Sequence, residues 1–107
     1  MIEIKKDKNN TYCFSLKTIS GSTLLTSVSF SNKEEIKKTF LDFNPIAQHE
    51  NIFERKTNHN GEFLFNLKDR KGNIIGSSQL YSSEAGMENG IKNTKNSLTN
   101  IQNWEQL

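Results

Sequence analysis

The sequence predicts an α+β protein in which two similar halves each form a three-stranded β-meander followed by a helix. Three observations predict this class. The chain repeats itself at an offset of 51 residues, with nine identities in 43 ungapped pairs over residues 2–44, where chance gives about three or four. Each half contains a strict two-residue alternation of apolar and polar side chains, and each half then changes to helical spacing.

The first strand of each half is a short extended run, at residues 2–6 and 52–56. Turn-forming residues follow both runs, at 7–10 and 58–61. Each half therefore begins with a β-hairpin.

The second strands carry the clearest pattern in the sequence. Large apolar residues recur at every second position in both halves: Tyr12, Phe14 and Leu16, then Phe63, Phe65 and Leu67. The residues between them, on the other face, are Cys13, Ser15 and Lys17, then Leu64, Asn66 and Lys68. A period of two predicts a strand with one buried face. Gly21 and Gly72 then supply positive φ for a turn into third strands at 23–28 and 74–79.

Helical spacing follows each meander. In the first half, Ser31 and Glu34 resemble a capping box before an apolar stripe of Ile36, Phe40 and Phe43. In the second half, Ser82 or Ser83 caps a helix with Glu84 in its first turn and a stripe of Met87, Ile91 and Thr94. We expect Pro45 to end the first helix region and Asn96 the second.

The C-terminal tail carries too much apolar area to remain in solvent: Leu98, Ile101, Trp104 and Leu107. We expect it to dock as a last strand. The whole chain, residues 1–107, then forms a single domain of two copies, 1–50 and 52–107.

Composition limits the partners and the compartment. Fourteen basic and twelve acidic residues leave a net charge of +2 without a basic cluster, so we expect neither a nucleic-acid nor a membrane partner. The lone Cys13 cannot form an internal disulfide, and no apolar stretch is long enough for a membrane span. We therefore expect a cytoplasmic protein without a cofactor.

The second half resembles the YegP-like family of uncharacterised bacterial and archaeal proteins. The resemblance lies in residues 63–68, 72–78 and above all 81–91, which read YSSEAGMENGI. The first half departs from that signature, because Glu35, Lys38 and Thr39 stand where the second half has Gly86, Asn89 and Gly90.

This resemblance implies an architecture but no chemistry. It implies two tandem β-β-β-α-β units that form a single antiparallel sheet, with the helices on one face and the terminal strands exchanged between units. Family members with one unit pair as dimers, so two units in one chain imply a monomer with an internal pseudo-dimer, although a homodimer is also possible. No catalytic residue carries over.

Residues that could carry chemistry are few. His49 and His59 have no metal ligand at the usual spacing, and no nucleophile elbow or phosphate loop is present, so we expect no enzyme. Gly86 and Gly90 lie four residues apart on one helical face, which indicates either close packing or a ligand site. Tyr81 and Asn89 are the best polar candidates for such a site.

Two functions remain open. The first is a protein-interaction module, with an accessory or stress-related role, that uses polar strand faces and sheet edges. The second is a small-ligand-binding protein that uses a cleft near Tyr81, Asn89 and the Gly86/Gly90 face.

Overall fold

The computed structural model describes residues 2–18, 20–43 and 50–100. These residues form six strands and two α-helices, and a short 3-10 turn at Glu50–Ile52 precedes the fourth strand. The elements are β1 Ile2–Lys6, β2 Tyr12–Lys17, β3 Thr23–Ser27, α1 Lys33–Phe43, β4 Phe53–Thr57, β5 Phe63–Lys68, β6 Ile74–Ser78 and α2 Glu84–Asn100.

All six strands belong to one antiparallel sheet in the order β1-β2-β3-β6-β5-β4. The two meanders meet where β3 pairs with β6, through Leu25 opposite Ser78, Thr26 opposite Ser77 and Ser27 opposite Gly76. The predicted α+β class, with a single antiparallel sheet and two helices, is therefore confirmed.

The core lies between one face of the sheet and the helices. Strand register places Leu16 beside Leu25, and Leu67 beside Gly76, on this face. The helices contribute the predicted stripes, and Phe14, Phe40 and Phe65 are fully buried. Burial of a large aromatic side chain removes more apolar area from water than an aliphatic one, which lets this polar chain build a core.

A β-bulge in each meander adds an apolar residue to the core. The register shifts after Leu16, so the consecutive residues Leu24 and Leu25 are both buried. The same shift occurs after Leu67, where Ile75 and Gly76 are both buried. Strict alternation would place one of each pair in solvent.

Each helix ends beside the opposite meander. The end of α1, at Asp42 and Phe43, lines a groove with Ile75 and the β5–β6 turn. The later part of α2 lines a groove with Leu24 and the β2–β3 turn, and α2 packs on both β5 and β3. The two halves therefore share their helices.

The four hairpins use one turn geometry. The residue that opens each turn donates its N–H to the carbonyl four residues later, and these openers are Asp7, Thr18, Asn58 and Asp69. The side-chain oxygen of each opener accepts the N–H of that same later residue. The fourth turn residue has positive φ, and these residues are Asn10, Gly21, Gly61 and Gly72. Such a turn joins adjacent strands without breaking their twist.

The helix ends differ in part from the prediction. Asn32 caps α1 in place of Ser31, because its side chain accepts the Glu35 N–H at 2.9 Å. Ser83 caps α2 through the Gly86 N–H at 3.0 Å. The prediction that α2 ends at Asn96 is wrong, because the buried stripe continues to Leu98 and holds the helix together through Asn100.

Strand exchange stays a prediction. Each described strand pairs within its own meander, apart from the β3–β6 pair. The segments that would supply exchanged strands, residues 44–49 and 101–107 with Trp104, lie outside the described residues.

The turn carboxylates predict a specific loss of stability in acid. Bonds from the Thr11 hydroxyl and the Asn9 N–H lower the pKa of Asp7, and at Asp69 burial is outweighed by bonds from Asn73 and Lys71 that lower its pKa. A lowered pKa in the folded state stabilises the protein above the ordinary value of 3.8, and this contribution is lost as the pH falls through the folded pKa.

We therefore expect the urea midpoint to fall between about pH 5 and pH 2, and less steeply in the Asp7→Asn/Asp69→Asn variant. Asparagine suits this position, since Asn58 accepts the same two N–H groups in the third hairpin. Asp42→Asn, an exposed change in α1, is the control. Equal pH dependence in all three proteins would contradict this role for the turns.

Candidate functional site

Tyr81 and Gly90 form the tightest contact among the predicted site residues. A Cβ placed on Gly90 would lie 2.2 Å from the Tyr81 hydroxyl and 2.7 Å from its Cζ. The Tyr81 ring also stacks on Phe65, with ring centres 6.4 Å apart. The hydroxyl is buried, without a hydrogen-bond partner among the described residues. Only glycine leaves room for the phenol at this point of α2.

The other two predicted residues have different surroundings. Gly86 lies one turn before Gly90, where a Cβ would meet the Ser83 hydroxyl at 3.2 Å and the Tyr81 ring at 3.5 Å. Asn89 is exposed. The structure thus brings Tyr81, Gly86 and Gly90 together and leaves Asn89 in solvent.

The first half has different residues at the equivalent positions. At the positions 51 residues earlier, Phe30 replaces Tyr81 and Thr39 replaces Gly90, and Phe30 stacks on Phe14 at 6.0 Å. The first half thus combines a phenylalanine with a threonine at the two positions where the second half combines a tyrosine with a glycine. This difference in residue types supports the interpretation that the glycines allow close packing. Ligand binding at these residues stays a prediction.

The sheet face opposite the helices carries a row of polar residues across all six strands. Strand register places the following residues side by side in this row: Glu3, Ser15, Thr26, Ser77, Asn66 and Glu54. Ser77 donates to the Asn66 side chain at 2.6 Å, and Asn66 donates to Glu54 at 3.1 Å. We call this surface the open face.

Ion pairs end the row at both sheet edges. Glu3 contacts Lys5 and Lys17, and these lysines lower its pKa. Glu54 accepts from Lys68 at 2.8 Å, and Lys68 followed by Asn66 lowers its pKa. Both carboxylates are therefore ionised at neutral pH, and the identities between the halves at these positions are the sequence signal for the row.

Main-chain groups of β1 point outward at one sheet edge. The main chains of Tyr12 and Phe30 form two hydrogen bonds with each other, at 2.8 and 2.7 Å. The N–H and C=O groups of Tyr12 therefore point away from β1. Main-chain N–H and C=O groups alternate sides along a strand, so those of Cys13 point toward β1. There they form hydrogen bonds with the main chain of its partner, Lys5. The outward N–H and C=O groups are those of Ile2, Ile4 and Lys6.

The other edge follows the same rule. Phe63 exchanges hydrogen bonds of 2.8 and 2.7 Å with Tyr81, so the outward groups of β4 are those of Phe53, Arg55 and Thr57. On the helix side, the Arg55 side chain pairs with Glu88 of α2, with Nη2 3.0 Å from Oε2. No described strand pairs with the outer side of β1 or β4. These edges could not be assigned before the strand order was known.

The remaining candidates lie apart from one another. His59 is exposed in a turn, Cys13 is half-buried on the open face, and His49 lies outside the described residues. Within residues 2–18, 20–43 and 50–100, no group of three or more His, Cys, Asp or Glu could hold a metal ion. In the same ranges, neither helix is long and apolar enough to span a membrane.

Comparison with known proteins establishes the family. Residues 58–99 match the model of the domain of unknown function DUF1508. The UPF0339 protein YegP of Escherichia coli K12 is 38% identical over 93 residues, which cover 87% of this chain and 84% of that protein. The chain belongs to the YegP family. A further UPF0339 protein, from Pseudomonas aeruginosa, is 34% identical over 92 residues, or 86% of this chain and 84% of its own length.

Solved structures of YegP-family members share the fold. The solution NMR structure of E. coli YegP, a protein of unknown function, has a TM-score of 0.83 at 36% identity and covers 94% of this chain and 86% of its own. The UPF0339 protein of Shewanella oneidensis has a TM-score of 0.87 at 30% identity, with the same two coverages. The predicted resemblance to the YegP-like family is therefore confirmed.

The contact between Gly90 and Tyr81 predicts a reversal of the usual effect of a helical glycine. Alanine in place of an exposed helical glycine stabilises by about 0.5–1 kcal/mol. Gly90→Ala should instead destabilise by about 1–3 kcal/mol, because the new methyl group overlaps the phenol. Urea denaturation of the folded protein measures the change.

Asn89→Ala, at the exposed neighbour, is the matched control and should be neutral or stabilising. Tyr81→Phe should recover part of the loss in the double variant, since the hydroxyl is the nearer obstacle. A Gly90→Ala protein more stable than wild type would contradict the packing interpretation.

Proposed function

We propose that this YegP-family protein is a non-enzymatic protein-interaction module that adds an extended segment of a partner protein to an edge of its sheet. The observation that supports it is the pair of sheet edges with outward main-chain groups, three residues on β1 and three on β4. Main-chain pairing supplies affinity in this mode of recognition, and neighbouring side chains supply specificity.

Charge on the open face defines the segment that fits. Both edges present a glutamate followed two residues later by a lysine, Glu3 and Lys5 on β1 and Glu54 and Lys56 on β4. An antiparallel strand that places a basic residue opposite the glutamate and an acidic residue opposite the lysine matches both edges. The partner segment is therefore an extended peptide with alternating charge of both signs.

Matching contacts in the two halves support the further proposal of a single domain with an internal pseudo-dimer. Phe14 and Phe65 each donate their N–H to a serine hydroxyl of the third strand, at 2.8 and 2.9 Å. The Lys17–Glu3 and Lys68–Glu54 pairs match in the same way. In this proposal, the two like edges lie at opposite ends of one cytoplasmic molecule with an accessory or stress-related role.

Proline variants at the two edges test the interaction. Lys6→Pro and Thr57→Pro each remove an outward N–H that bonds no other described strand, so the described sheet should tolerate them. We expect the intact wild-type chain to retain specific proteins from a bacterial lysate and one of the two variants to lose them, as measured by quantitative mass spectrometry of the bound fraction.

Lys92→Ala, an exposed change on α2, is the control and should leave capture unchanged. Capture that is the same for all four proteins, or no specific capture by wild type, would refute strand addition as the function. Binding that survives both proline changes would point to the open face.

A further inference from the structure

We propose that Asn60 is a site of spontaneous hydrolytic deamidation, in which its side-chain amide is lost as ammonia and aspartate or isoaspartate takes its place. The site is the turn between β4 and β5, where Asn60 precedes Gly61. The same dipeptide occurs at Asn89 and Gly90 in α2, and there the fold blocks the reaction. The inference concerns the chemistry of the chain itself and goes beyond the proposed interaction with a partner.

The reaction uses the main-chain nitrogen of the residue that follows the asparagine. That nitrogen loses its proton and attacks the side-chain Cγ, and the new N–C bond closes a succinimide ring as the Cγ–NH₂ bond breaks. The side-chain nitrogen takes up a proton and leaves as ammonia. Water then adds to one of the two ring carbonyls and breaks its bond to the ring nitrogen, which gives aspartate or isoaspartate. Glycine favours the attack, because it carries no Cβ to hinder the approach of its nitrogen.

Asn60 and Gly61 lie in a turn that can open locally. Both residues are exposed, and Gly61 has a φ of +80°. The Gly61 N–H donates to the Asn58 carbonyl at 3.1 Å. A hydrogen bond at the tip of an exposed hairpin breaks in local openings of low free energy. The nitrogen is therefore released for attack in a minor population of the folded protein.

At Asn89 the same dipeptide is held by the helix. Gly90 lies in the second turn of α2, where its N–H donates to the carbonyl four residues earlier. Gly90 is also buried against the Tyr81 phenol and the Phe65 ring. Release of its nitrogen requires α2 to unwind beside the core, at a cost that approaches the free energy of global unfolding. Asn89 is therefore protected, although its own side chain is exposed.

The first hairpin separates the effect of the following residue from that of the turn. Asn9 and Asn10 stand 51 residues before Asn60 and Gly61. The N–H groups of Asn9 and Asn60 each donate to the side-chain oxygen of the residue that opens their turn, at 2.9 and 3.0 Å. Asn10 has positive φ like Gly61, but it carries a side chain. Asn9 thus shares the turn of Asn60 and faces a hindered nitrogen.

Asn58 controls how readily the turn at Asn60 opens. Its side-chain Oδ1 accepts the N–H groups of Asn60 and Glu62, at 3.0 and 2.9 Å, and its carbonyl accepts that of Gly61. Loss of the side chain would leave the Gly61 bond without this support. Asn58 is thus a positioning residue that slows the reaction. Aspartate keeps both acceptor contacts, since it opens the first and fourth hairpins with the same bonds.

Tandem mass spectrometry of the incubated full chain tests the assignment. Tryptic peptides 9–17, 57–68 and 72–92 contain Asn9, Asn60 and Asn89 respectively. In the folded protein at mildly alkaline pH, we expect Asn60 to deamidate about tenfold or more faster than Asn9 and Asn89. In guanidinium chloride, where α2 is unfolded, Asn89 should approach the rate of Asn60, whereas Asn9 should remain slow because its neighbour is unchanged.

Substitutions at the turn test the role of Asn58. Asn58→Ala should accelerate deamidation at Asn60 severalfold, because the turn then opens more often. Asn58→Asp should react at a rate closer to that of wild type. Asn89 should keep its wild-type rate in both variants, which distinguishes a looser turn from unfolding of the whole chain.

Three results would overturn the proposal. The first is a folded chain in which Asn60 stays intact while the denatured chain converts it. The second is deamidation at Asn60 that is no faster than at Asn9 in the folded protein. The third is deamidation at Asn89 as fast as at Asn60 without denaturant, since the helix would then give no protection.

Discussion

The contact between Gly76 and Leu25 is the constraint on which the rest of the fold depends. It lies at the β3–β6 pair, which is the only strand pair that joins the two meanders in the described part of the chain. A Cβ on Gly76 would lie 2.9 Å from Leu25 Cδ2 and 2.9 Å from the Thr26 carbonyl oxygen. One of these atoms is backbone, so a side chain at residue 76 would separate the strands.

The same contact explains one difference between the two halves. Leu25 and Gly76 are 51 residues apart and occupy equivalent positions in the two meanders. Because both lie beside the central pair, space exists for one large side chain, and Leu25 fills it for both halves. The two helices then cross to opposite meanders on either side of this point. Stability is thereby shared between the two meanders at the centre of the sheet.

Sequence patterns predicted the elements whose signal is local. The alternation around Phe14 and Phe65 fixed the second strands, and the spacing from Ile36 to Phe43 fixed the first helix, because burial on one face sets both periods. Asn32 caps α1 in place of its neighbour Ser31. The sequence did not separate the two, because asparagine and serine are both favoured at the N-cap of a helix. Asn96 did not end α2, because an exposed asparagine costs a helix little when Leu98 is buried further on. The bulges that bury Leu24 and Ile75 depend on the pairing with a neighbouring strand, so the local sequence pattern does not predict them.

The candidate site was predictable by residue type and less so by arrangement. Paired glycines at 86 and 90 indicated a close approach, but only the structure shows that the Tyr81 phenol fills the space beside Gly90. The outward main-chain groups of β1 and β4 follow from the strand order and from which residues of β2 and β5 form hydrogen bonds with these two strands. Neither can be predicted from the sequence. The repeated glutamate and lysine positions, in contrast, are visible in the sequence as identities between the halves.

Hydrogen exchange of a Gly76→Ala variant tests whether the central pair holds both halves together. Main-chain amides of β2 and β5 report on the two meanders separately, and Leu80→Ala, at an exposed position, serves as the control. If the contact is shared as described, amide protection falls in β2 and β5 together and by similar factors, because overpacking at the pair costs about 1–3 kcal/mol for the whole sheet. Protection that falls in β5 while β2 keeps its wild-type rates would show that the halves are stable independently, and that the Gly76–Leu25 contact does not unite them.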